Sequence, residues 1–221
     1  MVTTVQSGQR PDINEMIVIH RVFRREFVAL PALIRGVAEG DSARAAVVAD
    51  HLRLALGGLH MHHTGEDELL WPLLLERAAP STGLVETMQA QHHRVDAYAD
   101  QVGPLVTEWQ SHASAVRGEQ LARVIEQFAQ ALFEHLDLEE REILPLVSRH
   151  ISVKEWDSLG EHGKQAMSAR QLPLLFGAIL EEASEDERSR MLAHLPGPIR
   201  LVMRTFGARQ YRRYITRVRA A

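Results

Sequence analysis

Two short stretches of the chain place a histidine and a glutamate one helical turn apart. The first reads HHTGEDELLWP from His62, and the second reads HLDLEEREILP from His135. In both, a Glu follows the His by four residues, at Glu66 and Glu139. Four residues of α-helix rise about 6 Å and pass one full turn by only about 40°, so the His and the Glu share a face. An imidazole nitrogen and a carboxylate oxygen placed in this way can hold a metal ion from two points.

The pattern extends upstream, because a further His precedes each pair at nearly the same distance. His20 lies 42 residues before His62, and His92 lies 43 residues before His135. Each half therefore consists of a His, a connection and a His-x-x-x-Glu pair, which indicates an internal repeat. Four helices should carry the candidate metal ligands, which are His20, His62, Glu66, His92, His135 and Glu139.

The order and spacing of these six residues resemble the hemerythrin-like (HHE) cation-binding family, whose pattern is His, His-x-x-x-Glu, His, His-x-x-x-Glu. The resemblance covers about residues 12–150. It implies an up-and-down four-helix bundle, the fold to which myohemerythrin belongs, and a non-haem di-iron centre with an oxo or hydroxo bridge. The pattern is similar to that of the six-ligand bacterial members, whereas the animal oxygen carriers use five His and two carboxylates.

A di-iron centre built on this repeat would give each metal two imidazoles. The two His of the first half would serve one metal and those of the second half the other, although the pairing could also cross between halves. Glu66 and Glu139 would each bridge both metals. With a solvent-derived bridge, each metal keeps one open octahedral position for O₂, NO or peroxide. Two iron ions are expected ahead of manganese or zinc, and zinc usually takes only four ligands.

The chemistry of burial also favours a metal at the two glutamates. The alternative for Glu66 and Glu139 is a solvated, charged helix face, but each shares its turn of helix with apolar residues. An ionised carboxylate that is buried without a cation costs several kcal/mol, and two would consume much of a domain's stability. Either these side chains turn outward or a metal compensates them, and the matched repeat favours the metal.

Other polar residues near the candidate ligands have simpler explanations. His63 and His93 follow their neighbours by about 100° around the helix, so they are expected beside the site, although either could replace the preceding His as ligand. His51 lies about 16 Å along the helix from the first candidate pair and is expected to be a hydrogen-bonded core residue. Asp67 and Glu140 are expected to be exposed or to contact the ligands from outside.

Composition excludes several classes of protein. The chain has 221 residues, of which 45% are hydrophobic, with 12 His and no Cys. Metal ligands must therefore be nitrogen and oxygen atoms, and no disulfide can form. Residues 1–12 are polar, so no signal peptide is predicted. No run of 18 apolar residues exists to span a membrane, and a cytoplasmic location is expected.

Helical periodicity dominates the chain, so the predicted fold class is all-α. The bundle domain, residues 1–150, should contain helices over about 14–39, 42–77, 83–112 and 118–150. Pro31 should kink the first helix, Gly40 should end it, and Pro72 should bend the second. Gly103 and Pro104 should interrupt the third.

Residues 151–221 should form a C-terminal extension of short helices packed on the bundle. Ser152-x-x-Glu155 and Ser184-x-x-Glu187 both read as helix-starting capping boxes. This section resembles the extension of actinobacterial hemerythrin-like proteins. Because it follows the bundle without a low-complexity linker, we expect it to dock there and to restrict the route to the metals.

The end of this extension is strongly basic. Residues 196–221 contain seven Arg and no acid, which leaves a net charge of −11 on the remainder of a chain whose total is −4. Ile199, Met203 and Phe206 should point inward, with the Arg side chains facing the acidic bundle or water. No recognised nucleic-acid motif accompanies the basic residues, so neither nucleic acid nor membrane is expected as a partner.

Two functions from different classes fit the pattern. The first is a non-haem di-iron protein that binds or reacts with a small oxidant (O₂, NO or peroxide), with no catalytic residue beyond the metal centre. Consumption of NO or peroxide, and a redox partner protein, are left open. The alternative is an iron- or redox-responsive interaction module without turnover, in which metal binding controls stability. A substrate-oxidising enzyme ranks third.

Overall fold

The structure is a computed structural model that describes residues 10–78 and 81–220. All regular secondary structure in these ranges is helical, which confirms the predicted all-α class. Among the described residues, no helix combines the length and the hydrophobicity that a membrane span requires. Most of the N-terminal segment to which the signal-peptide prediction refers lies outside these ranges.

Four long helical segments form the bundle. Each packs on its neighbours in the order first, second, third, fourth and back to the first, which is the predicted up-and-down arrangement. The segments are α1 (Asn14–Arg35), α2 (Ser42–Gly65) with its continuation α3 (Trp71–Arg77), α4 (Thr82–His112), and α5 (Ala115–Leu138) with its continuation α6 (Leu144–His150).

The helix ends differ in places from those predicted. α1 ends at Arg35 rather than near residue 39, and Gly40 lies in the following turn with φ of 81°, which only glycine adopts without strain. α4 runs unbroken through Pro104, contrary to the predicted interruption. Val102 and Val106 on either side of the proline are buried in the core, and their packing holds this part of α4 in helical form.

Both repeats continue past their glutamate through a π-helical turn, over Glu66–Leu70 and Glu139–Ile143. The backbone N–H that follows each turn donates to the carbonyl of the glutamate five residues earlier. A proline comes next in both, at Pro72 and Pro145. Because proline has no N–H and its ring crowds the carbonyl four residues back, the wider turn accommodates it. The bend predicted at Pro72 is thus a π turn that begins at Glu66.

The bundle has two apolar cores with a polar layer between them. Each of the four segments runs from one core to the other and crosses that layer at one of the candidate ligand positions. The larger core includes Phe27, Leu30, Leu52, Leu59, Val95, Ile125, Phe128 and Leu132. The smaller core includes Met16, Leu70, Trp71, Leu74, Met88, Ile143, Val147 and Trp156.

The C-terminal extension packs against α1 and α2, as predicted. Both predicted capping boxes are present, at Ser152 and Ser184. A π turn over Met203–Gly207 joins its last two helices. The helices are α7 (Val153–Ala166), α8 (Leu172–Glu182), α9 (Glu185–Ala193), α10 (Gly197–Val202) and α11 (Ala208–Arg219).

Three helices of the extension make apolar contact with the bundle: Trp156 of α7 joins the smaller core, and α8 and α11 pack on α1. Val22 of α1 packs with Ala178, Ile215 and Val218. α8 and α11 approach each other so closely that a Cβ at Gly177 would overlap the Tyr211 ring. A second small cluster joins Val18 of α1 with Ala183 and Met191.

Two expectations for the extension are wrong. Ile199 is 48% exposed and Phe206 is 78% exposed, whereas only Met203 points inward. The reason is that α11 supplies the contacting face, while α10 has no buried residue.

Ion pairs across this interface join arginines of the bundle to glutamates of the extension, and Arg190 of α9 to Asp12. Arg21 pairs with Glu187 at 2.6 Å, and Arg25 pairs with Glu182 at 2.8 Å. Six of the seven Arg residues of the basic C-terminal segment are exposed to water, which is one of the two placements predicted for them. The division into two domains at residue 150 stays a prediction.

A buried polar cluster also ties the extension to the bundle. His51 is 4% exposed, and its Nε2 lies 2.9 Å from a Glu26 oxygen. Its Nδ1 lies 2.9 Å from the Tyr214 hydroxyl of α11. Burial opposes ionisation of Glu26, but the hydrogen bond with His51 and the nearby Arg25 outweigh burial and lower the pKa of Glu26. The expectation that His51 is a hydrogen-bonded core residue is confirmed, with Tyr214 as a partner that helical spacing did not indicate.

Candidate metal centre

The structure brings all six candidate ligands together in the polar layer between the two cores. Five of the side chains are at most 1% exposed, and that of His62 is 9% exposed. α1 contributes His20, α2 contributes His62, α4 contributes His92, and α5 contributes His135. The glutamates stand at the first position of the two π turns.

The four imidazoles form two pairs that follow the two halves of the repeat. His20 Nε2 lies 3.3 Å from His62 Nε2, and His92 Nε2 lies 3.2 Å from His135 Nε2. Two nitrogen ligands at right angles, each about 2.1 Å from one metal ion, are about 3.0 Å apart. The nitrogens of each pair are therefore placed as neighbouring ligands of one ion, without the crossing that the sequence left open.

Each carboxylate reaches both imidazole pairs. Glu66 Oε1 lies 3.3 Å from His62 Nε2, and Glu66 Oε2 lies 3.3 Å from His92 Nε2. Glu139 Oε2 lies 3.3 Å from His20 Nε2 and 3.6 Å from His135 Nε2. Glu66 thus belongs to both groups of side chains that could hold a metal, and Glu139 belongs to the group with His20 and His62.

The carboxylate oxygens have no other partner. All four oxygens of Glu66 and Glu139 are buried and without a hydrogen bond, and both side chains are 0% exposed. Leaving such groups buried and unsatisfied is strongly destabilising. A pair of cations among the imidazoles would satisfy these oxygens, so the donor set fits a metal site.

A comparison with known families agrees with this geometry. The model of the hemerythrin HHE cation binding domain matches residues 12–147, which is more than half of the chain. The chain belongs to this family. No curated protein and no solved structure matches the chain.

Two further acids of the HHE domain hold the ligand histidines from outside. Asp67 Oδ1 lies 2.9 Å from His92 Nδ1, and Glu140 Oε1 lies 2.9 Å from His20 Nδ1. Each acid comes from the opposite half of the repeat. Because each accepts a hydrogen bond from the outer ring nitrogen, the inner nitrogen is free to bind a metal. The sequence indicated these acids as exposed residues or outer contacts. Both are outer contacts, and Asp67 is also exposed.

His63 is buried against the site, and the sequence left open whether it lies beside the ligands or is one of them. It is 2% exposed, and both of its ring nitrogens lack a hydrogen-bond partner. Its ring stacks on that of His92 at a centroid distance of 4.0 Å. His93, which holds the same position after His92, is exposed, as is His60. The His doublet at residues 62–63 was the sequence signal for this residue, but the doublet at residues 92–93 looked the same.

Apolar and aromatic side chains enclose the HHE site. The Phe23 ring lies 5.3 Å from the His62 ring, and the Trp71 indole lies 5.7 Å from the His92 ring. The two apolar cores close the layer above and below. His62 is therefore the most exposed of the six candidate ligands.

Without a metal, the cluster holds protons on two of its histidines. Burial opposes charge on His20, but the nearby Glu139 carboxylate outweighs it and raises the pKa of His20 to about 9. Burial is outweighed in the same way by Asp67 and Glu66, which raise the pKa of His92 to about 10.

The pKa values of the other two histidines are lowered, and those of the two glutamates shift in opposite directions. Burial and the charged histidines nearby lower the pKa values of His62 and His135 to about 3. Burial and the neighbouring Glu139 raise the pKa of Glu66 to about 8, while His20 lowers that of Glu139 despite its burial. At neutral pH, three protons therefore occupy places that a metal would take.

Proposed function

We propose that the chain is a non-haem di-iron protein that binds or reacts with a small oxidant, namely O₂, NO or peroxide. The observation that supports this most directly is the pair of fully buried carboxylates whose oxygens have no hydrogen bond and face both imidazole pairs. Four imidazoles and two bridging carboxylates suit iron, and manganese less well, whereas zinc usually takes four ligands. His20, His62, Glu66, His92, His135 and Glu139 would hold the two ions.

In this proposal the chain's residues provide positioning and exclusion of water. Asp67 and Glu140 fix the rings of His92 and His20 with their inner nitrogens toward the metals. Phe23 and the two apolar cores keep bulk water from the site. Iron, when bound, would supply the redox chemistry, and the protein would tune its environment.

Iron content tests the proposal most simply. Protein produced with iron should contain close to two iron atoms per chain, and its visible spectrum should change on addition of peroxide. Sustained consumption of peroxide or NO would establish turnover, whereas a single spectral change would indicate binding alone. A reproducible iron content near zero would reject the di-iron proposal.

The alternative is an iron-responsive interaction module, and one feature of the surface favours it. Ile199, Leu201, Val202 and Phe206 are between 48% and 78% exposed and stand among the arginines of the basic C-terminal segment. Clustered exposed apolar residues often mark a contact with a partner. A partner protein that binds the iron-loaded chain and dissociates when iron is removed would favour this function over turnover.

We further propose that the extension restricts access to the metals. A Cβ at Gly58 would lie 3.2 Å from Leu175 of α8, and one at Gly65 would lie 3.5 Å from His162 of α7. These glycines are four residues before and three residues after His62, so they share its side of α2. The extension therefore lies against the helix face that carries the most accessible ligand.

Shortening Leu175 should open this route. Leu175→Ala should speed the reaction of the iron-loaded protein with azide or peroxide several-fold, as followed by stopped-flow absorbance, and truncation after Arg149 should speed it further. Leu201→Ala is the matched control, because Leu201 is 65% exposed in the same extension. Equal rates for all four proteins at equal iron content would show that the extension is not a lid.

A further inference from the structure

His63 is a buried polar residue of the site to which the six-residue pattern gives no part. Its two ring nitrogens are buried and have no hydrogen-bond partner, and the side chain is 98% covered. An imidazole that only filled space would leave both nitrogens unsatisfied, which is unfavourable in a dry interior. A ligand for one of these nitrogens is therefore expected at this position.

The position of the His63 ring favours one of the two imidazole pairs. It stacks on the His92 ring at 4.0 Å with an angle of 15° between planes, and it meets the His135 ring edge-on at 5.0 Å. Its ring lies farther from that of His62, at 5.7 Å. One nitrogen of His63 falls within 4.8 Å of the ligand atoms of Glu66, His92 and His135.

The repeat itself shows that this position can be apolar. His63 follows the first ligand pair's histidine by one residue, and the residue in the same place of the second half is Leu136. Leu136 is 0% exposed and belongs to the larger core. The fold therefore accepts a leucine here, and the histidine of the first half breaks the symmetry of the two halves.

We propose that His63 is a third imidazole ligand of the metal ion held by His92 and His135. This inference rests on the proposed di-iron function and deepens it. The two ions then differ in their donors, with three imidazoles at one ion and two, from His20 and His62, at the other. Both carboxylates remain shared between them.

A leucine substitution tests this assignment, because it places at residue 63 what the other half carries at 136. His63→Leu should weaken the binding of one of the two iron ions and leave the other in place. Loss of a hydrogen-bond partner of a ligand already lowers metal affinity about 10–100-fold, so loss of a ligand should lower it at least as much. Titration of the loaded protein with a chelator measures the two affinities.

His93→Leu is the matched control. His93 holds the same position after a ligand histidine but is exposed, so this variant should keep both affinities at the wild-type values. Mössbauer spectra of the iron-loaded proteins provide a second readout. The Mössbauer signals of the two iron ions should differ in the wild type. In His63→Leu loaded at high iron concentration, the two signals should be more alike.

A measurement on the wild type avoids reliance on the variant's folding. In cobalt-loaded protein, each imidazole ligand contributes one strongly shifted, exchangeable ring N–H proton signal. Five such signals would support the proposal, and four would overturn it. Wild-type affinities and spectra in His63→Leu would overturn it as well while leaving the di-iron function intact. Failure of the wild type to bind two metal ions would instead reject the proposed function together with this inference.

Discussion

Glu66→Gln should remove most of the bound iron and with it much of the protein's thermal stability. A structural metal binds only the folded chain, so its binding free energy adds to the free energy of unfolding. At a free metal concentration a thousand times the dissociation constant, the gain is about 4 kcal/mol per ion. For a chain of this size, that corresponds to a fall of about 10 °C or more in melting temperature when the metal is lost.

The same substitution should have little effect on the metal-free protein. There the raised pKa of Glu66, about 8, keeps its carboxyl protonated at neutral pH. Glutamine has the same size and is also neutral, so it replaces the protonated acid closely. The variant should therefore differ from the wild type only when iron is present, which a general loss of packing would not produce.

Melting curves of both proteins, with iron and after its removal, measure this difference. Glu68→Gln is a matched control, because Glu68 lies in the same π turn with a side chain that is 60% exposed. It should behave as the wild type in both states. If Glu66→Gln retained two iron ions and the wild-type melting temperature, Glu66 would not be a ligand.

The assembly of the six candidate ligands could be predicted because it depends on few features of the chain. The four-residue spacing fixes each His and Glu on one helix face, as at His135 and Glu139. The repeat of that unit predicts four neighbouring helices, and apolar residues on the same faces turn the ligands inward. Local spacing and burial thus carry most of the information about this layer.

The part played by His63 could not be predicted in this way. His63 and His93 hold the same position in the pattern, and an ideal helix turns both by about 100° from the ligand before them. One is buried and the other exposed because neighbouring helices cover different parts of α2 and α4. That difference depends on tertiary packing, which the spacing of residues along a single helix does not reveal.

The π turns and the extension show the same limit. Pro72 predicts a disturbance of the helix, because its ring nitrogen cannot donate a hydrogen bond. A kink and a π turn both accommodate this, so the sequence does not distinguish between them. The apolar residues of α10 and α11 have similar spacing, yet Ile215 of α11 is buried while Ile199 of α10 is exposed. Which amphipathic face of a short helix finds a partner depends on how the whole extension docks.

Metal binding should release about three protons per chain from the ligands near neutral pH, in addition to those lost by water when it forms a hydroxo or oxo bridge. The metal-free cluster holds protons on His20 and His92, whose pKa values are about 9 and 10, and on Glu66, whose pKa is about 8. A metal ion binds these ligands only without their protons. A falling pH therefore favours the metal-free form, and a rising pH favours binding until about pH 10.

The expected size of this effect is large. Below about pH 8, each unit by which the pH falls should lower the product of the two binding constants about a thousandfold, which is tenfold for each proton released. Histidines with their ordinary pKa of about 6.5 and an ionised glutamate would release less than one proton at pH 7. The difference between three protons and less than one separates a coupled, buried cluster from independent surface groups.

Calorimetric titration of the metal-free protein with iron(II), without oxygen and in two buffers of different ionisation enthalpy, measures the number of protons released. Asp67→Asn provides the internal test, because Asp67 is the outer partner that helps to raise the pKa of His92. With asparagine there, His92 should hold its proton less firmly, and the release at pH 7 should fall by up to one proton. An unchanged release in this variant would show that Asp67 does not hold His92 in its charged form. A wild-type release below one proton would show that the cluster does not hold its protons at neutral pH.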